Sequence, residues 1–194
     1  MDGRSDARRD AAGIVLSLAI VLAVATLTEA VIFPLTPAEW APVVQTVVYL
    51  ALVGPALAIR PRLLRLFRAP TWQYAVACVL VAIAFIFAAA GGEAPTHVAV
   101  RSLFLLVVAA AEELIFRGFL WWLCTRVTDR GWLIVVLTTV CFALFHLPGW
   151  VVHGTDVVSV LAILIGGAIY GVLRLATGNL VLATFLHWAV DISA

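Results

Sequence analysis

Apolar residues form seven runs along the chain, and the segments between them are short and rich in Pro, Gly and Arg. A helix that crosses a bilayer needs about 20 mostly apolar residues, and most of these runs approach that length. We therefore predict seven membrane spans, at residues 13–33, 43–59, 72–90, 98–124, 132–147, 157–173 and 180–192. Breakers such as Pro148-Gly149 are expected to end the helices. The pattern predicts an all-α, polytopic transmembrane bundle.

Composition supports a membrane protein. Hydrophobic residues make up 64% of the 194 positions and charged residues 12%, whereas soluble domains have about 45–50% apolar and about 25% charged residues. Seven spans leave no room for a soluble domain of ordinary size. We therefore predict a single membrane domain over residues 1–194.

The placement of arginine predicts the orientation. All twelve basic residues are Arg, and the chain contains no Lys. Short loops rich in Arg remain in the cytoplasm. In the predicted topology, the segments between spans that contain Arg all lie on one side of the membrane. Arg101 is the exception, since it lies at the start of a span on the other side. The N-terminus is therefore predicted to be cytoplasmic and the C-terminus to lie outside. The absence of Lys and the abundance of Ala and Val suggest a bacterial source and thus the inner membrane.

Three charged residues, Glu112, Glu113 and Arg117, lie inside the fourth run. Each costs about 2.5–3.5 kcal/mol near the bilayer centre unless it finds partners. A helix turns about 100° per residue, so Glu113 and Arg117 stand one turn apart and are expected to form an ion pair. Glu112 has no such partner in its own helix. It needs a proton, a metal or polar groups from another span.

Two other runs offer polar groups for Glu112. Phe142-x-x-x-His146 places an aromatic ring and an imidazole on one helix face, and His187-x-x-x-Asp191 does the same for an imidazole and a carboxylate. Glu112, His146, His187 and Asp191 could bind Zn²⁺ or another divalent metal, or could hold and deprotonate a water without metal. Both arrangements predict hydrolysis. The HExxH and GxSG motifs of other hydrolases are absent.

These three motifs, in this order, resemble those of the CPBP family of intramembrane proteases. This family includes the CAAX prenyl endopeptidases and the bacteriocin-processing or self-immunity proteins. The resemblance covers about residues 109–191. It implies an all-helical membrane peptidase core, with catalytic core spans at 98–194 and peripheral spans at 1–97. It also implies roles for single residues: Glu112 and His146 activate a water, His187 and Asp191 bind or polarise the scissile carbonyl, and Glu113, Arg117 and Phe142 support them.

The resemblance leaves the cofactor open, since the family has been described both as metallopeptidases and as glutamate-dependent peptidases. A divalent metal such as Zn²⁺ is expected in the first case and no cofactor in the second. Asp191 stands where the prenyl proteases commonly have Asn. An acid would be a better metal ligand than a donor to an oxyanion. Eukaryotic members have eight spans, whereas seven are predicted here.

The leading hypothesis is an intramembrane endopeptidase that cuts a membrane peptide or protein near the cytoplasmic half of the bilayer. One alternative is a noncatalytic adaptor or bacteriocin self-immunity protein that binds a partner through the same cavity. Another is a proton-coupled carrier, although the chain has no internal repeat of the kind common in carriers. The lipid bilayer is the expected surrounding, and no nucleic-acid partner is expected. The sequence leaves the oligomeric state open.

Overall fold

The computed structural model describes residues 3–92 and 94–193, and these residues form helices and turns with no strand among them. The prediction of an all-α protein is confirmed. Residues 1, 2, 93 and 194, which fall within the predicted domain limits, lie outside the described residues. The α-helices are α1 (Gly3–Leu27), α2 (Phe33–Leu35), α3 (Ala41–Ile59), α4 (Thr71–Ala90), α5 (Pro95–Glu113), α6 (Trp121–Cys124), α7 (Gly131–His153), α8 (Val157–Thr177) and α9 (Val181–Ser193).

Five segments of the described chain are long and apolar enough to cross a membrane. They are Asp10–Leu35, Ala41–Ile59, Thr71–Ala90, Gly131–His153 and Val157–Thr177. Helix α9 is apolar but has 13 residues, which span about 20 Å against about 30 Å for the bilayer core. A helical integral membrane protein is therefore supported, whereas the count of seven spans and the cytoplasmic N-terminus stay predictions.

Many apolar side chains lie on the outer surface of the bundle. Val15, Ile86 and Val158 are 68%, 67% and 75% exposed, and such side chains suit contact with lipid. Three charged residues lie in the interior instead: Glu112 is almost completely buried, and Glu113 and Arg117 are fully buried. Charged side chains of membrane proteins characteristically face the bundle interior and pair with one another. This distribution fits a bundle whose polar core is surrounded by lipid.

Two of the helical stretches contain a π-helical segment. Thr28–Ile32 follows α1, and Leu114–Leu120 joins α5 to α6. The fourth predicted span, at residues 98–124, thus consists of most of α5, the second π segment and α6. A π-helix widens the turn locally and often lies at a functional site. Here each π segment accompanies an ionisable residue: Glu29 lies inside the first, and Glu113 immediately precedes the second.

Helix α7 continues through Pro148 to His153, so the prediction that the fifth span ends at residue 147 is wrong. Proline removes one backbone hydrogen bond and usually kinks a helix. Membrane helices tolerate this because neighbouring groups compensate for the lost bond. The additional turns of α7 place Trp150 and His153 near the C-terminal end of the first span.

Helix α9 is held at both ends, which fixes the direction of its polar face. Gly178 adopts the left-handed conformation (φ 71°) that closes α8 and turns the chain. The Leu180 N–H then donates to the Leu66 carbonyl at 2.7 Å. Near the other end, the Trp188 indole donates to the Ser102 carbonyl of α5 at 2.7 Å. Packing of α9 against α5 therefore brings the motif residues of both helices together.

Candidate active site

Glu112 lies at the inner end of a cavity of about 350 Å³ formed by α1, α3, α5, α7 and α9. The carboxylate is almost completely buried and accepts a hydrogen bond from the Tyr49 hydroxyl. Its other oxygen, Oε2, lies 3.5 Å from His187 Nε2. Glu112 therefore finds its polar partners on α3 and α9, in agreement with the expectation that its own helix provides none.

Glu113 forms the ion pair with Arg117 that helical spacing predicts. Arg117 Nη1 donates to Glu113 Oε1 at 3.1 Å, and both side chains are fully buried. The same oxygen lies 3.1 Å from His187 Nδ1. Glu113 Oε2 has no hydrogen-bond partner among the described residues. One carboxylate thus links the guanidinium of the π segment to the imidazole of α9.

A glycine of α8 allows Arg117 to reach the backbone of that helix. Arg117 Nη2 donates to the Gly167 carbonyl at 2.9 Å. A Cβ atom added at Gly167 would lie 3.2 Å from Arg117 Nη2, 3.2 Å from Phe142 Cδ1 and 3.3 Å from Thr139 Cγ2. These distances are tight, so the glycine is required for close packing of α8 against the arginine and α7.

Aromatic rings surround the charged groups and restrict their orientation. The Arg117 guanidinium carbon lies 4.4 Å from the centroid of the Phe142 ring, within the range of a cation–π contact. Phe142 also meets His146 and His187 edge to face, at 4.8 and 5.6 Å between centroids. The Tyr170 ring stacks on His187 at 4.7 Å and 19°. Phe142 is thus placed between all three motifs.

His146 lines the same cavity as Glu112. Its Nδ1 lies 2.9 Å from the Phe142 carbonyl oxygen, and because a carbonyl can only accept, we assign the proton to Nδ1. The Nε2 atom of the neutral ring then keeps a free lone pair. His146 can therefore accept a proton or hold a water at this nitrogen.

Carboxylates lie close to both ring nitrogens of His187. Nδ1 faces Glu113, while Nε2 lies 3.5 Å from Glu112 Oε2 and 3.8 Å from Asp191 Oδ2. The Asp191 side chain is 27% exposed and lines the cavity. Three carboxylates therefore lie around one imidazole ring.

The four predicted metal ligands do not form a ligand cluster. Across residues 3–92 and 94–193, no group of three or more His, Cys, Asp or Glu side chains is placed to hold a metal ion. The label metalloprotease is therefore not supported by the arrangement of the described side chains.

Three residues with ionisable side chains that line the cavity or contact the motif residues were not predicted from the sequence. Glu29 lines the cavity and pairs with His153 at 3.0 Å. It is an ionisable residue inside an apolar run, and the cost of burying such a group could have identified it. Tyr49 and Tyr170 contact Glu112 and His187, but a single tyrosine in an apolar segment carries no comparable signal.

The arrangement has the parts that hydrolysis requires. A buried carboxylate and an imidazole with a free nitrogen face a cavity large enough for a water, which occupies about 30 Å³, and for part of a peptide. A second imidazole, held between carboxylates, lies close to the first carboxylate. These groups can accept a proton from water and stabilise negative charge on a carbonyl oxygen.

Comparison with known proteins identifies one family. A family model described as Rce1-like, type II CAAX prenyl endopeptidase, matches residues 94–193, which is just over half of the chain. The match includes all three motifs. No curated protein and no solved structure matches the chain.

Proposed function

Because the chain belongs to the Rce1-like family of type II CAAX prenyl endopeptidases, we propose that it is an endopeptidase acting within the membrane on membrane-associated peptides or proteins. The observation that carries this proposal is the meeting of Glu112, His146 and His187, from three separate helices, at one cavity. A packing role alone would not require an imidazole nitrogen and a carboxylate to face the same cavity.

In the proposed first step, a water lies between the Glu112 carboxylate and His146 Nε2. Glu112 accepts a proton from this water, and the water oxygen attacks the carbonyl carbon of the scissile peptide bond. The hydrogen bond from the Tyr49 hydroxyl holds the carboxylate in position. His146 orients the water, since its Nδ1 proton is engaged by the Phe142 carbonyl.

His187 is proposed to stabilise the negative charge that develops on the carbonyl oxygen. Donors that are already oriented toward this charge lower the barrier without further rearrangement. Glu113 holds Nδ1, and Asp191 lies near Nε2 and balances the positive charge of the ring. When the carbon–nitrogen bond breaks, the proton on Glu112 passes to the leaving nitrogen. The second proton of the water stays on the new carboxyl group, so the products are a carboxylic acid and an amine, which then ionise in water.

No step is assigned to a metal ion, because the four predicted ligands do not form a ligand cluster. The finer topology is likewise a proposal. We propose seven spans in a bacterial inner membrane, with the catalytic core at 98–194 and supporting spans at 1–97. Nine described residues of the supporting spans line the cavity, and Glu29 and Tyr49 are among them.

The decisive test is Glu112→Gln, which keeps the size of the side chain and removes the base. We expect this variant to lower the cleavage rate by about 10²- to 10⁴-fold, the range typical of a general base. Membranes from cells with and without the active protein are compared by mass spectrometry for new peptide termini. The purified variant is also measured by thermal unfolding, and the midpoint is expected to stay close to that of the wild type.

Glu39→Gln serves as the matched control, because Glu39 is an exposed acid of the described chain outside the cavity lining. It should leave all cleavage products unchanged. Retention of the same termini in Glu112→Gln would exclude Glu112 as the base. Absence of new termini even with the wild type, together with capture of a partner by both proteins, would favour the noncatalytic adaptor.

A further inference from the structure

The cavity opens at one particular end of the bundle. Its innermost residues, Tyr49, Glu112 and His187, are each less than 9% exposed. Toward the mouth, the Glu29 side chain is 26% exposed, and its partner His153 is 59% exposed. Burial thus decreases from the proposed base toward the Glu29–His153 pair. The mouth lies where the first span ends, α3 begins, and α7 and α9 end.

The arginines lie at the opposite end. Two contacts connect the segments that carry them: Arg126 pairs with Asp10 at the beginning of the first span, at 2.6 Å, and the Arg60 guanidinium lies 4.6 Å from the ring of Trp122. By their order along the chain, ten of the twelve basic residues, all except Arg101 and Arg117, belong to segments that begin or end here. They are Arg4, Arg8, Arg9, Arg60, Arg62, Arg65, Arg68, Arg126, Arg130 and Arg174.

Acidic residues are frequent at the mouth. Glu29 and Asp191 line the cavity, Glu39 lies in the short 3-10 helix before α3, and Asp156 is the N-cap residue of α8 at the same end. None of the described residues that line the cavity is Arg or Lys. Arg101 stands at this end of α5, where it donates to the Ile192 carbonyl at 2.9 Å. The two ends of the bundle therefore carry charge of opposite sign.

Short loops rich in arginine remain in the cytoplasm, and acidic residues contribute little to this choice. This rule predicts that the end with ten arginines is cytoplasmic and that the cavity mouth faces the other compartment. This changes the expectation of cleavage near the cytoplasmic half of the bilayer.

We propose that the active site is entered from the extracytoplasmic side of the membrane, and that its substrates are peptide segments presented at that face. The statement about substrates rests on the proposed function, whereas the position of the cavity mouth does not. The substrate class is therefore the outward-facing segments of membrane or secreted proteins. Proteins whose cleavage sites are confined to the cytoplasm are excluded.

The orientation is tested with single cysteines in a chain whose three native cysteines, Cys78, Cys124 and Cys141, are replaced by Ala. Thr155→Cys lies in the exposed turn before α8, at the mouth end, and Asp129→Cys lies in the exposed turn before α7, at the arginine end. A membrane-impermeant maleimide added to intact spheroplasts should label Thr155→Cys. It should label Asp129→Cys only after permeabilisation. The reverse pattern would overturn the proposal.

The position of the mouth is tested separately with Gln45→Cys, since Gln45 lines the cavity. The same reagent should label this cysteine in intact spheroplasts, although more slowly than Thr155→Cys. A cysteine at Gly54, in the same helix and outside the cavity lining, is the control and should remain unlabelled. Labelling of Gln45→Cys only in inverted vesicles would contradict the inference, whether or not the protein cleaves peptides.

Turnover provides a third measurement. A charged, membrane-impermeant fluorogenic peptide containing a sequence cleaved by the detergent-solubilised protein is added to right-side-out and to inverted vesicles. We expect at least a tenfold faster cleavage in right-side-out vesicles, and none with Glu112→Gln. Faster cleavage in inverted vesicles would overturn the inference while the proposed function stands. If the solubilised protein cleaves no peptide, the proposed function fails, and the labelling results still decide the position of the mouth.

Discussion

Glu112 and Glu113 are neighbours in the sequence, yet they belong to two different regions of the molecule. Glu113 is part of a buried ion-pair cluster, which we define as Glu113, Arg117, Phe142 and Gly167. Glu112 faces the cavity. In the cluster, Glu113 and Arg117 balance each other's charge, whereas Glu112, in addition to its contacts with Tyr49 and His187, faces space that water or substrate can occupy.

The difference explains why one helix carries two acids in succession. A buried ion pair is stable only when its geometry is good and its partners are complete. The cluster meets the condition on geometry through the Gly167 carbonyl and the Phe142 ring, but Glu113 Oε2 and Arg117 Nε have no hydrogen-bond partner among the described residues. Glu113 also contacts His187. The cavity side keeps a carboxylate whose environment can change during a reaction. We expect substitutions in the cluster to affect folding first and substitutions at the cavity to affect turnover first.

The largest effect is expected for Arg117→Met, which removes one partner of the buried pair and keeps a similar length. The Glu113 carboxylate would then be buried with only His187 to balance it. Loss of one partner of a buried pair costs about 3 to 5 kcal/mol of unfolding free energy. Thermal or chemical unfolding in detergent micelles should show this loss, and cleavage should fall with the folded fraction.

The double variant Glu113→Gln with Arg117→Met tests the cause of this loss. If an unbalanced charge is responsible, the double variant should regain part of the lost stability, because no buried charge is left without its partner. Equal or greater loss in the double variant would mean that packing, and not charge, dominates the cluster.

A smaller effect on the same region is expected for Gly167→Ala. The added Cβ would stand 3.2 Å from both Arg117 Nη2 and Phe142 Cδ1, and such overpacking costs about 1 to 3 kcal/mol. Gly166→Ala is the control in the same helix, since its Cβ would meet its nearest neighbour, Tyr170 Oη, at 3.4 Å. Unfolding curves should separate the two variants. Equal stability would show that α8 can move away from the cluster without cost.

Sequence patterns were sufficient for the elements and for the contacts that lie within one helix. The run lengths predict α3 and α4 to within two residues at each end, and the four-residue spacing predicts the Glu113–Arg117 pair. Both depend only on local periodicity. The continuation of α7 through Pro148 was missed because the cost of a proline inside a helix is offset by neighbours that local sequence does not reveal.

Contacts between helices required the structure. The hydrogen bond from Tyr49 to Glu112 joins residues 63 positions apart, and nothing in an apolar run marks that tyrosine among its neighbours. Glu29 is a different case, since a charge inside a span is itself a signal. Its meeting with His153 depends on the π segment and on the extra turns of α7, and neither was predicted.

On the cavity side, Tyr49→Phe should lower kcat/KM by about tenfold, because a hydrogen bond to a charged group contributes about 1.5 to 3 kcal/mol and part of it is replaced by water. The unfolding midpoint should change little. Tyr74→Phe is the control, as the Tyr74 hydroxyl donates to the Phe67 carbonyl at the arginine end of the bundle. A large loss of stability in Tyr49→Phe, without a specific loss of turnover, would mean that this hydroxyl contributes to folding and not to catalysis.

The smallest effect is expected at the mouth, where Glu29 is partly exposed and already paired with His153. Glu29→Gln should lower kcat/KM by about two- to fivefold for peptides with Lys or Arg next to the scissile bond, since a partly exposed ion pair contributes about 0.2 to 1 kcal/mol. Peptides with norleucine at that position should be unaffected. The loss should weaken as salt is raised, because the charges are screened. Glu39→Gln, an acid at the same end but outside the cavity lining, should change neither peptide. Equal losses of kcat/KM for cationic and neutral peptides would mean that Glu29 affects the shape of the mouth and does not interact with the charge of the substrate.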